Sequence, residues 1–184
     1  MMIFNPKNLA LIFNIVGFQL VWFLCVYGAA NGNIIPGLIA AIIFGLAVSR
    51  LSPHRKRDLI TLSLALPIGF IMDSLLAKSG LITFSHALPS ENWAPIWILG
   101  LWLGFSYTLN HSLHSIYAKP FFIFLFGFFG APLAYSIAAY KFGAMAFNGD
   151  VLMALIAIAC VWGFGLLVLR TINAWLSPMK EVSA

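Results

Sequence analysis

The sequence predicts an all-α membrane protein: a bundle of six transmembrane helices, with residues 1–184 forming one polytopic domain and both termini cytoplasmic. Three observations predict it. Six apolar stretches fill the chain, each at or near the roughly 20 residues that a bilayer crossing requires. Of the 184 residues 62% are hydrophobic and 8% charged, which leaves no polar segment long enough to build a core in water. Lysine and arginine, finally, fall unevenly on the two sides that alternating crossings define.

The first span, Leu9–Ala30, follows Lys7 and ends on the small residues Gly28 and Ala30. Cleavable signal peptides share that outline, but this stretch exceeds their apolar core of roughly 7–15 residues and reads as a retained helix. Asn33 is placed to cap the second span, Ile34–Val48, with Pro36 in its first turn. That span is short, so Arg50 is expected to snorkel to the headgroups. The third, Leu59–Ala77, contains Pro67 and Asp73. Asn92 is placed to cap the fourth, Trp93–Leu113; Pro120 opens the fifth, Phe121–Tyr140; Asn148-Gly149-Asp150 opens the sixth, Val151–Leu169.

With the N-terminus inside, the cytoplasmic side holds Lys7, Arg50, Arg55, Lys56, Arg57, Lys119, Arg170 and Lys180, against Lys78 and Lys141 outside. That is eight of the ten basic residues, and the asymmetry sets the orientation. It also accounts for the net charge of +5 without nucleic acid, since no aromatic-basic binding pattern accompanies it. The expected partner of Arg50, Arg55, Lys56 and Arg57 is a layer of anionic lipid headgroups. The strongest determinant is the loop Ser52-Pro53-His54-Arg55-Lys56-Arg57-Asp58. The longest connection, Lys78 to Asn92, faces outward, and its Leu81, Ile82 and Phe84 suggest that it packs on the bundle or dips into the interface. Beyond it, Trp93 and Trp97 fit an outer aromatic belt, whereas Trp102 lies too deep for one and should face another helix.

Lipid tails are as apolar as leucine, so helices associate through close packing and buried polar contacts. Gly37, Ala41 and Gly45 make one smooth face on the second span, and Gly127, Ala131, Ala134 and Ala138 a comparable strip on the fifth. Both read as helix contacts, with a path lined by small residues the alternative. Pro67 and Pro132 each free a carbonyl inside a span, as a simple kink or as a break at a binding site. Cys25 and Cys160 lie in apolar spans as small hydrophobes, without disulfide or metal spacing.

The costly residues are Asn14, Gln19, Asp73, Asn110, His111 and His114, which together form the candidate ligand or proton site. Asp73 is read in two ways: a shallow carboxylate satisfied by Lys78 or water, or a protonatable group exposed to a cavity above the Pro67 bend. Asn110, His111 and His114 end the fourth span, and helical spacing puts His114 on a face with both others. Asn14 lies at a similar depth, so these residues can form one buried cluster with Gln19 above it. Its bland reading is interhelical glue; its sharp reading is a headgroup, ligand or proton site. His54 and Asp58 on the same side could join His111 and His114 around a metal, but two of that set stand on a loop, where a catalytic zinc or iron site needs about three well-oriented ligands. Four histidines also fall short of the larger sets of membrane desaturases. No catalytic residue, metal or cofactor is expected, because no nucleophile elbow, phosphate loop or cofactor motif is present.

Taken in order, Asn14 with Gln19 and Trp22, Asp73 with Gly80 and Phe84, Pro95-Ile96-Trp97 with Leu101-Trp102, Thr108-Leu109-Asn110-His111-Ser112-Leu113, and Gly130-Ala131-Pro132-Leu133-Ala134-Tyr135 cover most of the chain. This pattern resembles an uncharacterised integral-membrane family of Gram-negative bacteria, domain-of-unknown-function family 2878. The resemblance brings no catalytic residues with it. It implies an inner-membrane location and, because such genes look to lie beside cyclopropane-fatty-acyl synthase-like and flavoprotein genes, a link to lipid modification or oxidative stress.

The leading expectation is a multi-pass inner-membrane protein acting as an accessory or scaffold in acyl-chain modification or envelope stress response, with membrane-lipid-modifying enzymes as partners. A small proton-coupled transporter using Asp73 is the alternative, with Pro67 and Pro132 as hinges, and a membrane-embedded enzyme using His111 the third. The topology makes the first prediction: reporter fusions should give a cytoplasmic signal at Ala184 and a periplasmic one at Ser90. A periplasmic signal at Ala184 rules out six crossings.

Overall fold

Helix ends fall where side chains or turns can satisfy the free backbone groups that every helix leaves there. A computed structural model describes residues 5–176. In chain order it contains α1 (Pro6–Ala30), α2 (Ile35–Leu51), α3 (Arg55–Lys78), β1 (Ile82–Phe84), α4 (Ile96–Leu109), α5 (His114–Tyr117), α6 (Pro120–Ile137), β2 (Met145–Phe147) and α7 (Val151–Leu176). A π-helical turn, Ala138–Phe142, prolongs α6. Lys180 and both chain ends lie outside the described residues.

Several caps follow the sequence. Asn5 Oδ1 accepts the Lys7 amide at 3.0 Å to open α1. Asn33 accepts the Ile35 amide on Oδ1 at 3.3 Å but stands one residue before the N-cap of α2, which is Ile34, with Pro36 in the first turn. Asp150 Oδ1 accepts from Leu152 and Met153 at 2.8 and 3.3 Å and starts α7. Pro120 opens α6, where its missing N–H costs nothing. Pro67 and Pro132 lie inside helices that run on through them, so neither breaks its helix.

Several boundaries depart from the expected ones, and the last helix runs on to Leu176 rather than ending at Leu169. The basic stretch expected as a loop is helical from Arg55 onward, so Arg55, Lys56, Arg57 and Asp58 form the first turn of α3. The fourth helix spans only Ile96–Leu109 rather than Trp93–Leu113. Asn92 does not cap it; Pro95 stands at the N-cap, and the Ala94 amide is taken by Ser74 Oγ of α3 at 3.0 Å. At its other end Asn110 and the turn after it bond to neighbouring helices instead of continuing the ladder. Asn110 and His114 consequently do not share a helical face.

Four helices are long and apolar enough to cross a membrane: Lys7–Ala30, Arg55–Lys78, Pro120–Phe142 and Val151–Leu176. Ile35–Leu51 and Ile96–Leu109 are apolar but shorter. At 1.5 Å per residue, α4 with its 14 residues reaches only about 21 Å, less than a hydrocarbon core of about 30 Å. Large apolar side chains cover the outer faces, among them Ile43, Phe129, Leu133 and Leu152. The chain is a predominantly α-helical membrane protein.

The helices pack α1 on α2, both on α4, α4 on α3, α3 on α7 and α7 on α6. Gly37, Ala41 and Gly45 are buried, as the smooth-face reading requires. A Cβ on Gly37 would lie 2.7 Å from the Cys25 backbone, and one on Gly127 2.6 Å from the Trp162 carbonyl. One end carries an element absent from the all-α expectation. β1 and β2 pair antiparallel with Ile82 opposite Phe147 and Phe84 opposite Met145. Asn148 locks the pair, donating from Nδ2 to Thr83 Oγ1 at 2.7 Å and to the Gly80 carbonyl at 3.1 Å. Ile82 and Phe84 are buried, so the long connection does pack on the bundle.

Trp102 faces other helices, as its depth requires: its indole lies on Gly69 of α3 and stacks on Trp162 of α7 with centroids 4.7 Å apart. A Cβ on Gly69 would lie 2.0 Å from Trp102 Cδ2, in the rigid part of a buried ring. Gly69→Ala should therefore destabilise the protein by about 1–3 kcal/mol through overpacking. Gly130→Ala, where a Cβ meets nothing within 4 Å, should be neutral or gain up to about 1 kcal/mol from helix propensity. Unfolding of both variants in mild detergent checks the pair.

Candidate functional site: two polar clusters and a cleft

Asp73 is fully buried near the hairpin end of α3. Its Oδ2 accepts the Trp102 indole N–H of α4 at 2.7 Å. Its Oδ1 accepts the Tyr135 hydroxyl of α6, and that oxygen in turn accepts Trp162 Nε1 of α7 at 3.3 Å. Lys78 is not its partner: the ammonium sits 3.5 Å from the centroid of the half-exposed Trp93 ring. The shallow, Lys78-paired reading is corrected, because five residues of helix turn the two side chains about 140° apart, towards different neighbours. Trp97 also leaves the expected aromatic belt; it is buried and donates to the Ser85 carbonyl at 3.0 Å. Every donor on Asp73 is neutral, so burial of its charge rests on hydrogen bonds alone.

The carboxylate lies on the wall of an apolar cleft of about 290 Å³ between α1, α4 and α6. Phe18 and Trp22 of α1 line it with Phe105 of α4, whose ring touches that of Phe18 with centroids 5.8 Å apart, Gly130 and Ala134 give α6 a smooth side, and Phe84 and Met145 of the hairpin add to the wall. The small-residue strip of α6 thus does both jobs weighed for it: Gly127 seats α6 against α7, and its neighbours border the cleft. At the mouth stand Gln19, Leu133 and Ile137, all on the exposed outer surface of the bundle. Gln19 belongs to this cleft, not to the cluster expected around Asn14.

The second cluster lies at the other end of α3. Thr61, fully buried, is its hub: Oγ1 donates to the Arg57 carbonyl at 3.0 Å and accepts Asn110 Nδ2 at 2.8 Å and Asn173 Nδ2 at 2.9 Å. Asn110 Nδ2 also donates to Asp58 Oδ1 at 3.0 Å, while Asp58 Oδ2 pairs with His111 Nε2 at 3.0 Å. Asn173 Nδ2 reaches Tyr117 Oη at 3.0 Å. Asn14 joins from α1, donating to the Tyr107 carbonyl at 3.1 Å and accepting the Ser112 amide at 3.2 Å. The structure therefore brings Asn14, Asn110 and His111 to one end. His114 stands beside them, half-buried; burial first, then the neighbouring Arg57 charge, lowers its pKa.

Sequence reasoning overlooked Thr61, Tyr117 and Asn173. Asn173 follows the expected end of the last span, and a lone threonine in a span gives no signal of being a hub. Asp58 was expected on a loop; it is buried at the first turn of α3 and bonded to two groups. Tyr135 appeared only within a family motif, with nothing to tie it to Asp73. Among the described residues no three His, Cys, Asp or Glu side chains gather as a metal would need.

The hub makes a prediction. Thr61→Val keeps the shape but removes the acceptor for two buried amides and the donor to a carbonyl, which should cost about 1–3 kcal/mol. Thr61→Ser, retaining the hydroxyl, should recover most of it. Chemical unfolding in detergent reads both, and equal stability of the two variants would show the hub to be idle.

No curated protein and no solved structure matches the chain. One family does, over residues 11–168, under the description "Protein of unknown function (DUF2878)". With most of its length and every residue that lines the cleft inside that match, the chain belongs to the DUF2878 family.

Proposed function

We propose that this protein holds a hydrocarbon chain of a membrane lipid in the α1–α4–α6 cleft, as an accessory or scaffold in acyl-chain modification or the envelope stress response. The observation that carries the reading is the cleft itself. It is almost wholly apolar, rich in aromatic side chains, and its mouth lies on the flank of the bundle at Leu133 and Ile137, where lipid tails rather than water would meet it. One polar wall, Asp73 with Tyr135 and Trp102, gives an otherwise greasy pocket a point of orientation, as ligand sites commonly have.

In this reading the chain crosses the bacterial inner membrane six times with both ends in the cytoplasm. Supporting that orientation, the polar network draws the start of α3 and the ends of α4 and α7 to one end, where Arg55, Lys56 and Arg57 also stand. Exposed Arg50, Arg55 and Lys56, with half-buried Arg57, then meet anionic headgroups. Lipid-modifying enzymes are the partners such an accessory serves.

A proton-coupled transporter is the second reading, favoured by a carboxylate that borders a cavity with only neutral donors around it. A membrane enzyme using His111 ranks third, since that imidazole is engaged by Asp58 and lies outside the cleft lining.

Filling the cleft separates the readings. A photoactivatable phospholipid carrying its crosslinker on the acyl chain should label the wild type on α1 or α6, and Gly130→Trp should reduce labelling at least fivefold at unchanged abundance. Lipid analysis of a deletion strain should show altered acyl chains. Unchanged lipids, unaltered labelling in Gly130→Trp, and loss of solute uptake in Asp73→Asn would together replace the lipid reading with the transporter.

A further inference from the structure

The network around Thr61 contains two guanidinium groups that the protein itself leaves short of partners. Arg57, in the first turn of α3, has Nε and one terminal nitrogen buried with no hydrogen-bond partner among the described residues. Arg170 of α7 donates one terminal nitrogen to the Ala118 carbonyl at 3.0 Å, while its Nε is buried and unpartnered. Thr61 Oγ1, bonded to the Arg57 carbonyl, accepts Asn173 Nδ2, which also reaches Tyr117 Oη, and the Ala118 carbonyl that Arg170 reaches is next in the chain to Tyr117. Arg57 and Arg170 thus converge from different helices on one buried cluster.

Three buried guanidinium nitrogens without an acceptor favour an anion beside them, because burying such groups unpaired is unfavourable. Among the described residues neither arginine forms an ion pair with a carboxylate. Asp58 has both oxygens engaged, one by Asn110 and one by His111. Asp73 is held in the aromatic cluster, and Glu91 and Asp150 belong to segments at the hairpin end. Glu181 lies outside the described residues.

The rest of the surroundings suit an oxyanion. The first-turn amides of α3 have no acceptor within the helix and add the positive end of its dipole. Arginine's planar fork matches two oxygens of a phosphate at once, which an ammonium does not. Arg57 is the one basic side chain of its turn that points inward; Arg55 and Lys56 beside it are exposed.

We infer that Arg57 and Arg170 form an internal site for a phosphate group between the start of α3, α5 and the end of α7. The site is separate from the cleft and stands whatever occupies that cleft. The phosphate is that of a lipid headgroup or a free phosphate ion, and the two sources are told apart by the test.

Purified protein in a neutral detergent is unfolded thermally in the presence of inorganic phosphate, of dihexanoyl phosphatidic acid, or of chloride at matched ionic strength. A saturable rise in Tm is expected with at least one phosphate source and not with chloride. A rise with the short-chain lipid alone assigns the headgroup; a rise with inorganic phosphate as well assigns free phosphate. Arg57→Gln and Arg170→Gln should weaken the apparent affinity at least tenfold, whereas Arg50→Gln and Lys56→Gln should leave it within twofold. Because two buried nitrogens of Arg57 lack partners among the described residues, Arg57→Gln should keep or raise the ligand-free Tm, whereas Arg170→Gln also loses the bond to the Ala118 carbonyl and is read on affinity alone; Arg57→Lys should fold normally yet bind at least tenfold more weakly. No saturable rise with either source, or a rise untouched by Arg57→Gln and Arg170→Gln, overturns the site. So does a fall in ligand-free Tm on Glu181→Gln that Arg57→Gln abolishes, which would make the chain's own carboxylate the partner.

Discussion

Asp73 is the tie on which the hairpin half of the bundle depends. One carboxylate on α3 is reached by Trp102 on α4 and Tyr135 on α6, and through Tyr135 by Trp162 on α7. In lipid this matters more than further apolar contact, because tails compete with leucine and phenylalanine on equal terms. The balance is narrow. A charged group at mid-membrane costs about 2.5–3.5 kcal/mol on insertion scales, and interhelical hydrogen bonds return about 0.6 kcal/mol each, at most about 1.7. Two typical donors recover under half of the cost, and two of the strongest recover about all of it. A group so nearly balanced on the wall of a cavity is where a change of ligand or proton would be felt.

The tie works only because the aromatic rings can approach. Gly69 lets the Trp102 indole lie on the backbone of α3, four residues before Asp73, and any side chain there would collide with the ring. With Trp102 held, Trp162 stacks on it and Phe105 meets both rings edge-on. This aromatic block sets the back of the cleft. Its front is open because α1 packs on α2 and α4 while α6 packs on α7, so the α1–α6 seam closes only at the hairpin end, by way of Phe142 against Trp22 and Phe23. The cleft is the gap left between two well-packed groups of helices.

The opposite end is held by different chemistry. There Thr61 uses its single donor and two acceptor positions fully, and links α3 to α7 and to the turn after α4. That turn ends α4 early: the Asn110 amide and the Ser112 N–H find acceptors on α3 and α1. A short helix and a polar plug thus have one cause. The plug holds the basic end rigid against the surface where Arg50, Arg55 and Lys56 are exposed.

Much of the architecture follows from local chemistry and was legible without coordinates. Apolar runs must be helical in lipid, since no water is present to satisfy the backbone. Asn33, Asp150 and Pro120 mark helix starts because they satisfy or dispense with free N–H groups within a few residues. The cost of Asp73, Asn14, Asn110 and His111 singled them out for the same reason. Which groups meet is another matter, settled only by how the helices pack. Asp73 with Tyr135 and Thr61 with Asn173 pair residues that are distant in the chain, and no periodicity encodes such a pairing. Whether Asp73 faced Lys78 or the core depended on the rotation of α3. Gly69 and Trp102 decided that rotation through a contact between two helices, so only the tertiary structure could reveal it.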